Sequence, residues 1–296
     1  MGITGDCAKF LLYAKQQGAS YTSTMMLGRQ QLFVNDNEVE EISRRWNIKL
    51  SPFKPGEFSE PFFKILQAGL IDSMDHSAFE RATVLHDLNL PVDNALKSKY
   101  SVVFDGGTLE HVFNFPQAIK NCMDMLHLGG HFISVSPANN YCGHGFYQFS
   151  PELYFSLFRE RNGFRVKLIA LVVEEPGAKN HSWFQIKDPN EVKRRVTLSN
   201  SYPTSLLVLA EKIKEPEDIL LTPFQSDYEH IWTVYDSIHD NKTIAGESRW
   251  LFYYRKLVPE FIKRTIRGVR NKNLDKTQTV ANLGITNPQF FTKMDI

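Results

Sequence analysis

The stretch from residue 100 to residue 135 alternates between two periodicities, and this alternation restricts the possible folds most. Residues 100–104 (YSVVF) are a run of β-formers, and residues 115–126 carry apolar side chains at helical spacing. After a Gly129-Gly130 turn, residues 131–135 (HFISV) return to a β pattern. Strand, helix, turn and strand in this order predict a βαβ unit with a right-handed crossover. Such a unit belongs to a sheet with parallel strands.

The same alternation extends to both sides of this unit. Further β-like runs lie at residues 21–27, 70–74, 82–86, 164–173 and 204–211. Helical patterns lie at residues 5–17, 36–46, 60–68 and 151–161. About seven strands interleaved with helices predict an α/β fold, namely a Rossmann-like, open and mostly parallel sheet with flanking helices.

From about residue 223 the pattern becomes helical, with no β-like run, over residues 227–238 and 247–270. We therefore predict an α/β domain at residues 1–222 and a C-terminal helical extension at residues 223–296. Residues 255–276 are rich in Lys and Arg. A solvated helix face is the commonest explanation of such a pattern. Peripheral contact with a membrane surface is the second interpretation, and contact with nucleic acid is the least favoured, because the chain as a whole is nearly neutral.

Composition narrows the function classes. The 34 Lys and Arg residues nearly balance the 33 Asp and Glu residues, so no overall field attracts nucleic acid, and we expect no nucleic-acid partner. The three cysteines form no CxxC pair, and Gly129-Gly130 separates His127 from His131, so we expect no metal site. No apolar run reaches the ~20 residues that a membrane span needs. These features predict a cytoplasmic protein.

Acidic residues follow several of the predicted strands. Asp75 ends the run at residues 70–74, Asp87 follows the run at residues 82–86, and Asp105 follows residues 100–104. In an open parallel sheet the ligand binds beyond the carboxyl ends of the strands, where the strand order reverses. The sequence therefore predicts a binding site near these carboxylates.

At these positions the chain resembles class I S-adenosylmethionine-dependent methyltransferases. The segment VVFDGGTLEHVFNFPQAIKNCMDMLHLGGHFISVSPANN is similar to the fourth strand through the fifth strand of that family, and IDSMDHSAFERATVLHDLN is similar to its second and third strands. The resemblance spans roughly residues 20–212 and is strongest over residues 100–150. It implies an enzyme that uses S-adenosylmethionine as its cofactor.

The resemblance also implies roles for individual residues. Asp75, beside His76, falls where the family's acidic residue holds both ribose hydroxyls, and Asp87 and Leu88 fall at the adenine edge. The resemblance implies that residues on two turns bind the methionine end of the cofactor: Gly28, Arg29, Asp105, Gly106, Gly107 and Thr108.

The glycine motif departs from the family. The family has a GxGxG turn after its first strand, whereas this chain has Met26-Leu27-Gly28-Arg29-Gln30 with a single glycine. Two interpretations follow. In the first, Gly28 suffices for close approach and Arg29 meets the carboxylate of the cofactor. In the second, the cofactor site is altered or lost, and the fold serves as an inactive scaffold or binding protein.

A polar loop follows the strand at residues 131–135, on the side where an acceptor would meet the methyl group. Asn139, Asn140, Tyr147 and Gln148 are suited to hydrogen bonding with a polyol and are the predicted substrate-binding residues. Transfer of a methyl group to oxygen also requires removal of a proton. His144 is the first candidate for this base, and His111 is the second.

The sequence thus predicts a methyltransferase that modifies an oxygen of a small or carbohydrate-like acceptor. The alternatives from other classes are the inactive scaffold described above and an enzyme that acts on a lipid-linked saccharide at a membrane surface. A dehydrogenase that uses NAD fits less well, because no GxGxxG motif opens a helix after a strand.

Overall fold

The structure is a computed structural model that describes residues 2–54, 56–178, 180–192, 195–215, 223–229, 232–233 and 284–296. The chain divides into two compact units. The first comprises residues 1–186, 201–223 and 292–296, and the second comprises residues 187–200 and 224–291. The predicted basic segment at residues 255–276 lies outside the described residues, as does most of the predicted extension.

Six α-helices have defined bounds within the described residues. They are α1 (Gly5–Gln16), α2 (Asp36–Trp46), α3 (Glu60–Ile65), α4 (Phe115–Met125), α5 (Pro151–Leu157) and α6 (Pro189–Val192). Side-chain oxygens of Thr4, Asn35 and Ser150 accept hydrogen bonds from backbone N–H groups in the first turns of α1, α2 and α5. Because these N–H groups have no partner within the helix, the caps fix where the helices begin.

Eleven strands are described. They are β1 (Gly2–Thr4), β2 (Ser23–Leu27), β3 (Gln31–Phe33), β4 (Leu70–Asp75), β5 (Val84–Leu85), β6 (Tyr100–Asp105), β7 (Leu126–Asn139), β8 (Phe164–Val173), β9 (Ser182–Ile186), β10 (Thr204–Lys212) and β11 (Phe291–Met294). β1 and β3 form a small parallel pair. The other nine form one sheet in the order β11-β9-β8-β10-β7-β6-β2-β4-β5.

The direction of the strands divides the large sheet. β5, β4, β2, β6 and β7 are parallel, whereas β10 is antiparallel to both β7 and β8. From β2 the chain proceeds outward to β4 and β5, and then returns to place β6 on the other side of β2. The strand order therefore reverses between β2 and β6, which is where an open α/β sheet binds its ligand.

The predicted fold class is confirmed: the first unit is a Rossmann-like, open and mostly parallel α/β sheet with helices. The seven predicted strands correspond to β2, β4, β5, β6, β7, β8 and β10. The prediction missed β1, β3, β9 and β11. Each of these has five residues or fewer. Short runs carry little periodicity, and unlike β2 and β5, which are equally short, these four do not lie in the predicted alternation of strands and helices.

The centre of the sheet is buried on both faces. All six residues of β6 are buried, in keeping with an apolar strand covered by helices on both sides. On one face, Phe10 of α1 contacts Trp183 of β9 with ring centroids 6.1 Å apart. Phe63 of α3 lies 5.8 Å from the ring of Phe104. Phe104 is the residue before the last one of β6, so its contact with Phe63 supports the carboxyl end of that strand.

In the second unit the described residues include an aromatic group around Trp232. The Phe224 ring lies 5.4 Å from that of Trp232, and the Tyr228 ring lies 6.1 Å from it. Arg195 forms an ion pair with Asp227 at 2.8 Å. Across both units, none of the helices that the structure describes has the length and apolar character that crossing a membrane requires.

Candidate functional site

The loop at residues 105–111 follows β6 at the reversal of strand order, and the Asp105 carboxylate holds its shape. Oδ1 accepts hydrogen bonds from the N–H of Thr108 at 2.8 Å and of Leu109 at 3.2 Å. Oδ2 accepts a hydrogen bond from the Ser134 hydroxyl at 2.7 Å. Burial raises the pKa of Asp105, and the N–H and hydroxyl donors oppose this rise. Asp105 lines neither of the two cavities described below, so its part in the site is to position the loop.

The first cavity, named here the strand-end cavity, has a volume of about 360 Å³. Its lining residues come from the ends of β2, β4 and β5 and from the loop after β6: Gly28, Met74, Asp75, His76, His86, Asp87, Leu88, Asn89, Thr108, His111 and Val112. The structure therefore brings Asp75, His76, Asp87 and Leu88 together with Gly28 and Thr108. Its volume lies within the range of small-molecule sites.

Both carboxylates of the strand-end cavity are held by neighbouring donors. Asp75 Oδ1 accepts a hydrogen bond from the N–H of Ser77 at 2.8 Å. Asp87 Oδ1 accepts hydrogen bonds from the Asn89 N–H at 2.9 Å and from its side-chain amide at 2.7 Å. The hydrogen bond from the backbone N–H of Asn89 lowers the pKa of Asp87 most, and the hydrogen bond from the side-chain amide of Asn89 lowers it further. Asp87 is therefore an anion at neutral pH and accepts hydrogen bonds without donating them.

Asn121 positions the Leu88 side of this cavity, and the sequence did not indicate this role. Its Nδ2 donates hydrogen bonds to the carbonyls of Leu88 at 3.2 Å and Leu90 at 2.8 Å. Its Oδ1 accepts one from the N–H of Val92 at 3.1 Å. Asn121 is fully buried in α4. A buried asparagine within an apolar helix pattern is the one sequence signal that could have indicated a polar contact here.

Gly28 and Arg29 have different surroundings. Gly28 has a φ of 69°, a backbone conformation that favours glycine, and its N–H donates to the Met74 carbonyl at 2.7 Å. Arg29 does not line the strand-end cavity. Its guanidinium forms an ion pair with Glu60 at 2.7 Å and lies 3.8 Å above the Phe58 ring. The geometry thus places Gly28 at the cavity, and it places Arg29 in contact with Phe58 and with Glu60, the first residue of α3.

The second cavity has a volume of about 440 Å³ and is named here the carboxylate cavity. Four carboxylates line it: Asp6, Glu38, Glu110 and Glu174. Gly106, Gly107, Tyr141, His144, His181 and Ser205 are also among its lining residues. The loop at residues 105–111 thus contributes to both cavities, since Thr108 and His111 line the first and Gly106, Gly107 and Glu110 line the second.

Glu110, His111 and His144 form a group named here the Glu–His cluster. Oε1 of Glu110 lies 3.4 Å from Nε2 of His144 and 3.9 Å from Nε2 of His111. The two imidazole rings have centroids 5.0 Å apart. Burial, followed by the charge of Asp105, raises the pKa of Glu110 to about 8. Burial, followed by His144, lowers the pKa of His111. The structure thus brings both predicted catalytic histidines to one carboxylate that the prediction omitted.

The four predicted substrate-binding residues line neither cavity. Asn140 donates a hydrogen bond to the Tyr202 carbonyl at 2.7 Å, and the Tyr147 hydroxyl donates one to the Phe113 carbonyl at 2.6 Å. Oε1 of Gln148 accepts one from the N–H of Tyr141 at 2.8 Å. The fourth residue, Asn139, ends β7. The contacts of Asn140, Tyr147 and Gln148 shape the loop that places Tyr141 and His144 at the carboxylate cavity.

Glu174 is a second acid that the sequence did not indicate. It lies just beyond β8, and its two oxygens accept hydrogen bonds from the hydroxyls of Tyr141 at 2.6 Å and Ser205 at 2.5 Å. Burial and the hydrogen bond to Glu174 raise the pKa of Tyr141. The three side chains come from segments far apart in the chain, so no local motif could have predicted their contact.

Asp6 and His181 form an ion pair at the rim of the carboxylate cavity, with Nδ1 2.6 Å from Oδ2. The other Asp6 oxygen accepts a hydrogen bond from the Trp183 indole at 3.1 Å. The hydrogen bond to Asp6 raises the pKa of His181, while partial burial opposes this rise. A raised folded-state pKa stabilises the fold below the unfolded pKa of histidine, and this stability is lost as pH rises through the folded value.

We therefore expect His181→Gln to lower the free energy of unfolding more at pH ~5.5 than at pH ~8.5, with a difference of about 0.5 kcal/mol for a partly exposed pair. Urea denaturation at both pH values measures this difference. His127→Gln is the matched control, since His127 bonds only the Leu128 carbonyl at 2.7 Å among the contacts described for it. An equal loss at the two pH values in His181→Gln would contradict the prediction.

Comparison with known proteins gives similarity at the level of structure. No protein-family model matches the chain, and no curated protein matches it. A solved structure from Thermotoga maritima, described as a methyltransferase dependent on S-adenosylmethionine and possible histamine N-methyltransferase, is 13% identical with a TM-score of 0.37. The match covers 69% of this chain and 89% of that one.

Two further solved structures are methyltransferases. The 1,6-didemethyltoxoflavin-N1-methyltransferase of Burkholderia thailandensis is 13% identical, with a TM-score of 0.39. Its structure contains bound 1,6-didemethyltoxoflavin and S-adenosylhomocysteine. The match covers 71% of this chain and 78% of that one. The N-methyltransferase NodS of Bradyrhizobium japonicum is 12% identical with a TM-score of 0.37, and the match covers 71% and 96% of the two chains. These proteins are of the class that the sequence resembles.

Proposed function

We propose that this protein is a methyltransferase dependent on S-adenosylmethionine that modifies an oxygen of a small, carbohydrate-like acceptor. The observation that carries the proposal is the arrangement of two cavities around one loop. The strand-end cavity collects Asp75, Asp87 and Leu88 at the reversal of strand order, and residues 105–111 connect its lining to that of the carboxylate cavity. A nucleoside in the first cavity would point its reactive end toward an acceptor in the second.

The donor set of the strand-end cavity fits the cofactor. Asp75 offers a carboxylate to the two ribose hydroxyls, which need a two-oxygen acceptor. Asp87 is held as an anion and suits the exocyclic amine of adenine, and Leu88, 7% exposed, offers an apolar face to the purine. Gly28, with no side chain, allows the methionine part to approach the backbone at the end of β2.

The lining of the carboxylate cavity indicates the charge class of the acceptor. Its described lining residues include four carboxylates and neither Lys nor Arg. Glu110, whose pKa is raised to about 8, and Asp6, which is paired with His181, add little negative charge at neutral pH. Glu38 and Glu174 still give the cleft charge of one sign, and such a cleft repels ligands of the same sign. An anionic acceptor such as a phosphate ester or an acid is therefore disfavoured. The hydroxyls of Tyr141 and Ser205 and the carboxylate of Glu174 suit a neutral molecule with several hydroxyl groups.

The chemistry requires alignment and loss of a proton. S-adenosylmethionine, when bound, supplies a methyl group activated by a positively charged sulfur. The loop at residues 105–111 would align donor and acceptor, which is the main requirement of an in-line displacement. The acceptor hydroxyl would lose its proton as its oxygen forms the bond to the methyl carbon and the carbon–sulfur bond of the donor breaks. We assign this role to the Glu–His cluster, in which His144 and His111 either take the proton or hold a cation that makes it more acidic.

The second candidate function is an inactive scaffold with a methyltransferase-like fold. The observation in its favour concerns Arg29. In the absence of the glycine motif, the guanidinium of Arg29 was the group expected to bind the carboxylate of the cofactor, but it is already paired with Glu60. A scaffold would not require the strand-end cavity to bind a nucleoside. Binding of S-adenosylhomocysteine, the product that the cofactor becomes after transfer, therefore distinguishes the enzyme from the scaffold.

We expect the wild-type protein to bind S-adenosylhomocysteine with a dissociation constant in the micromolar range, because the two acids and Leu88 match its adenosine. Isothermal titration calorimetry measures this affinity, with NAD as the comparison nucleotide. NAD shares the adenosine, but its two phosphates would lie near the carboxylates that line both cavities, so it should bind more weakly than S-adenosylhomocysteine. Transfer of labelled methyl from S-adenosylmethionine to a panel of neutral, cationic and anionic acceptors then tests the charge class. No heat with S-adenosylhomocysteine at millimolar concentration favours the scaffold.

A further inference from the structure

We propose that the Glu–His cluster is a binding site for a divalent transition-metal ion, with Glu110, His111 and His144 as its protein ligands. This inference rests on the proposed function and specifies how the cluster would act in it. Two imidazoles and one carboxylate are a ligand set that zinc and related ions take in catalytic sites, with a further position open to water or substrate.

The distances within the cluster carry the first part of the argument. One ligating atom from each of the three residues lies within 4.8 Å of the others. With bonds to zinc of about 2.0–2.1 Å in a tetrahedral arrangement, two ligand atoms stand about 3.3 Å apart. The separations from Glu110 Oε1 to the two Nε2 atoms are 3.4 and 3.9 Å. Small side-chain rotations would therefore suffice to close the site around an ion.

The state of Glu110 is an independent observation that points to a cation. Its side chain is 1% exposed, and Oε2 has no hydrogen-bond partner among the described residues. No Lys or Arg is paired with it in the described part of the chain. A carboxylate in such surroundings is costly unless a positive charge compensates it. A metal ion held with His111 and His144 would supply that charge.

The backbone keeps the ligands close together. The N–H groups of Phe146 and Tyr147 donate to the Glu110 carbonyl at 2.8 and 3.2 Å, which joins the loop after β7 to the loop after β6. Gly145 has a φ of 70°, and a Cβ atom there would lie 2.8 Å from the same carbonyl oxygen. This close approach places His144 beside Glu110 and gives the cluster a defined geometry.

The location connects the ion to the proposed transfer. Glu110 and His144 line the carboxylate cavity, and His111 lines the strand-end cavity. An acceptor hydroxyl in the open position would be bound by its oxygen beside the methyl group. Coordination to the ion would lower the pKa of such a hydroxyl, and its proton would pass to water. The oxygen lone pair would then form the bond to the methyl carbon as the carbon–sulfur bond of S-adenosylmethionine breaks and S-adenosylhomocysteine leaves. The imidazoles act here as ligands and not as bases.

Zinc binding to the full-length protein tests the site directly. The protein is stripped with a chelator, dialysed, and titrated with ZnCl₂ by calorimetry, and bound zinc is counted by elemental analysis. We expect one ion per chain, and at least a ~10²-fold weaker association for Glu110→Gln and for His144→Gln, because each removes a ligand. Replacement of Zn²⁺ by Co²⁺ should give absorption bands in the visible range, with the intensity typical of a tetrahedral site with nitrogen ligands. Glu110→Gln should change the position or the intensity of these bands.

His127→Gln is the matched control, since it removes an imidazole outside the cluster, and its zinc affinity should equal that of the wild type. Circular dichroism of each variant confirms that the fold is kept. Absence of zinc binding in the wild type, or equal affinity in Glu110→Gln and the control, overturns the metal site. S-adenosylhomocysteine binding, measured on the same samples, tests the proposed function separately. If the protein binds S-adenosylhomocysteine but not zinc, the proposed function stands and the metal site is overturned.

Discussion

Asp105→Ala is expected to lower the free energy of unfolding by about 3–5 kcal/mol, because it removes the acceptor of three hydrogen bonds at once. The N–H groups of Thr108 and Leu109 and the hydroxyl of Ser134 all donate to this fully buried carboxylate. An alanine leaves these buried donors without an acceptor in the protein, and each buried polar group that loses its partner costs about 1–3 kcal/mol. Urea denaturation of the variant against the wild type measures the loss.

Asp105→Asn is the matched control. Its side-chain oxygen can accept the two backbone N–H donors, and its amide can donate to the Ser134 hydroxyl, whose oxygen then accepts. The substitution also removes a charge that burial disfavours, as the raised pKa of Asp105 indicates. We expect a loss below about 1 kcal/mol. Equal destabilisation by the two substitutions would mean that the charge itself, and not the set of hydrogen bonds, holds the loop.

The three strand-end acids show what the sequence could predict and what it could not. The β-forming runs located Asp75, Asp87 and Asp105 at the carboxyl edge of one sheet, and the structure agrees. Their side chains nevertheless differ in direction, since Asp75 and Asp87 line the strand-end cavity whereas Asp105 turns inward. The direction depends on the turn that follows β6, where Gly107 has a φ of 92°, and the sequence does not specify this.

The carboxylate cavity was beyond prediction for a different reason. Asp6, Glu110 and Glu174 come from the start of α1, the loop after β6 and the end of β8, and only tertiary folding brings them together. From the loop at residues 139–148, Tyr141 and His144 line this cavity. Which of its side chains face inward depends on hydrogen bonds such as that from Tyr147 to the Phe113 carbonyl, between residues far apart in the chain.

Asp75→Asn is expected to weaken the binding of S-adenosylhomocysteine by about 10²-fold, close to 3 kcal/mol. One oxygen of Asp75 accepts the N–H of Ser77, and asparagine can keep this contact through its own oxygen. It cannot offer a charged oxygen pair to two hydroxyl groups, and each hydrogen bond to a charged acceptor contributes about 1.5–3 kcal/mol. Calorimetry with the wild type and the variant measures the difference.

Asp72→Asn provides the control from the same strand. Asp72 lies three residues before Asp75, accepts hydrogen bonds from the Tyr100 hydroxyl at 2.8 Å and from Lys99 at 3.2 Å, and does not line the strand-end cavity. Its replacement should lower stability and leave the affinity for S-adenosylhomocysteine unchanged. A ligand analogue without the two ribose hydroxyls should bind the wild type and Asp75→Asn equally. If Asp75→Asn weakens that analogue as much as the parent ligand, the carboxylate acts through the shape of the cavity and does not hold the ribose.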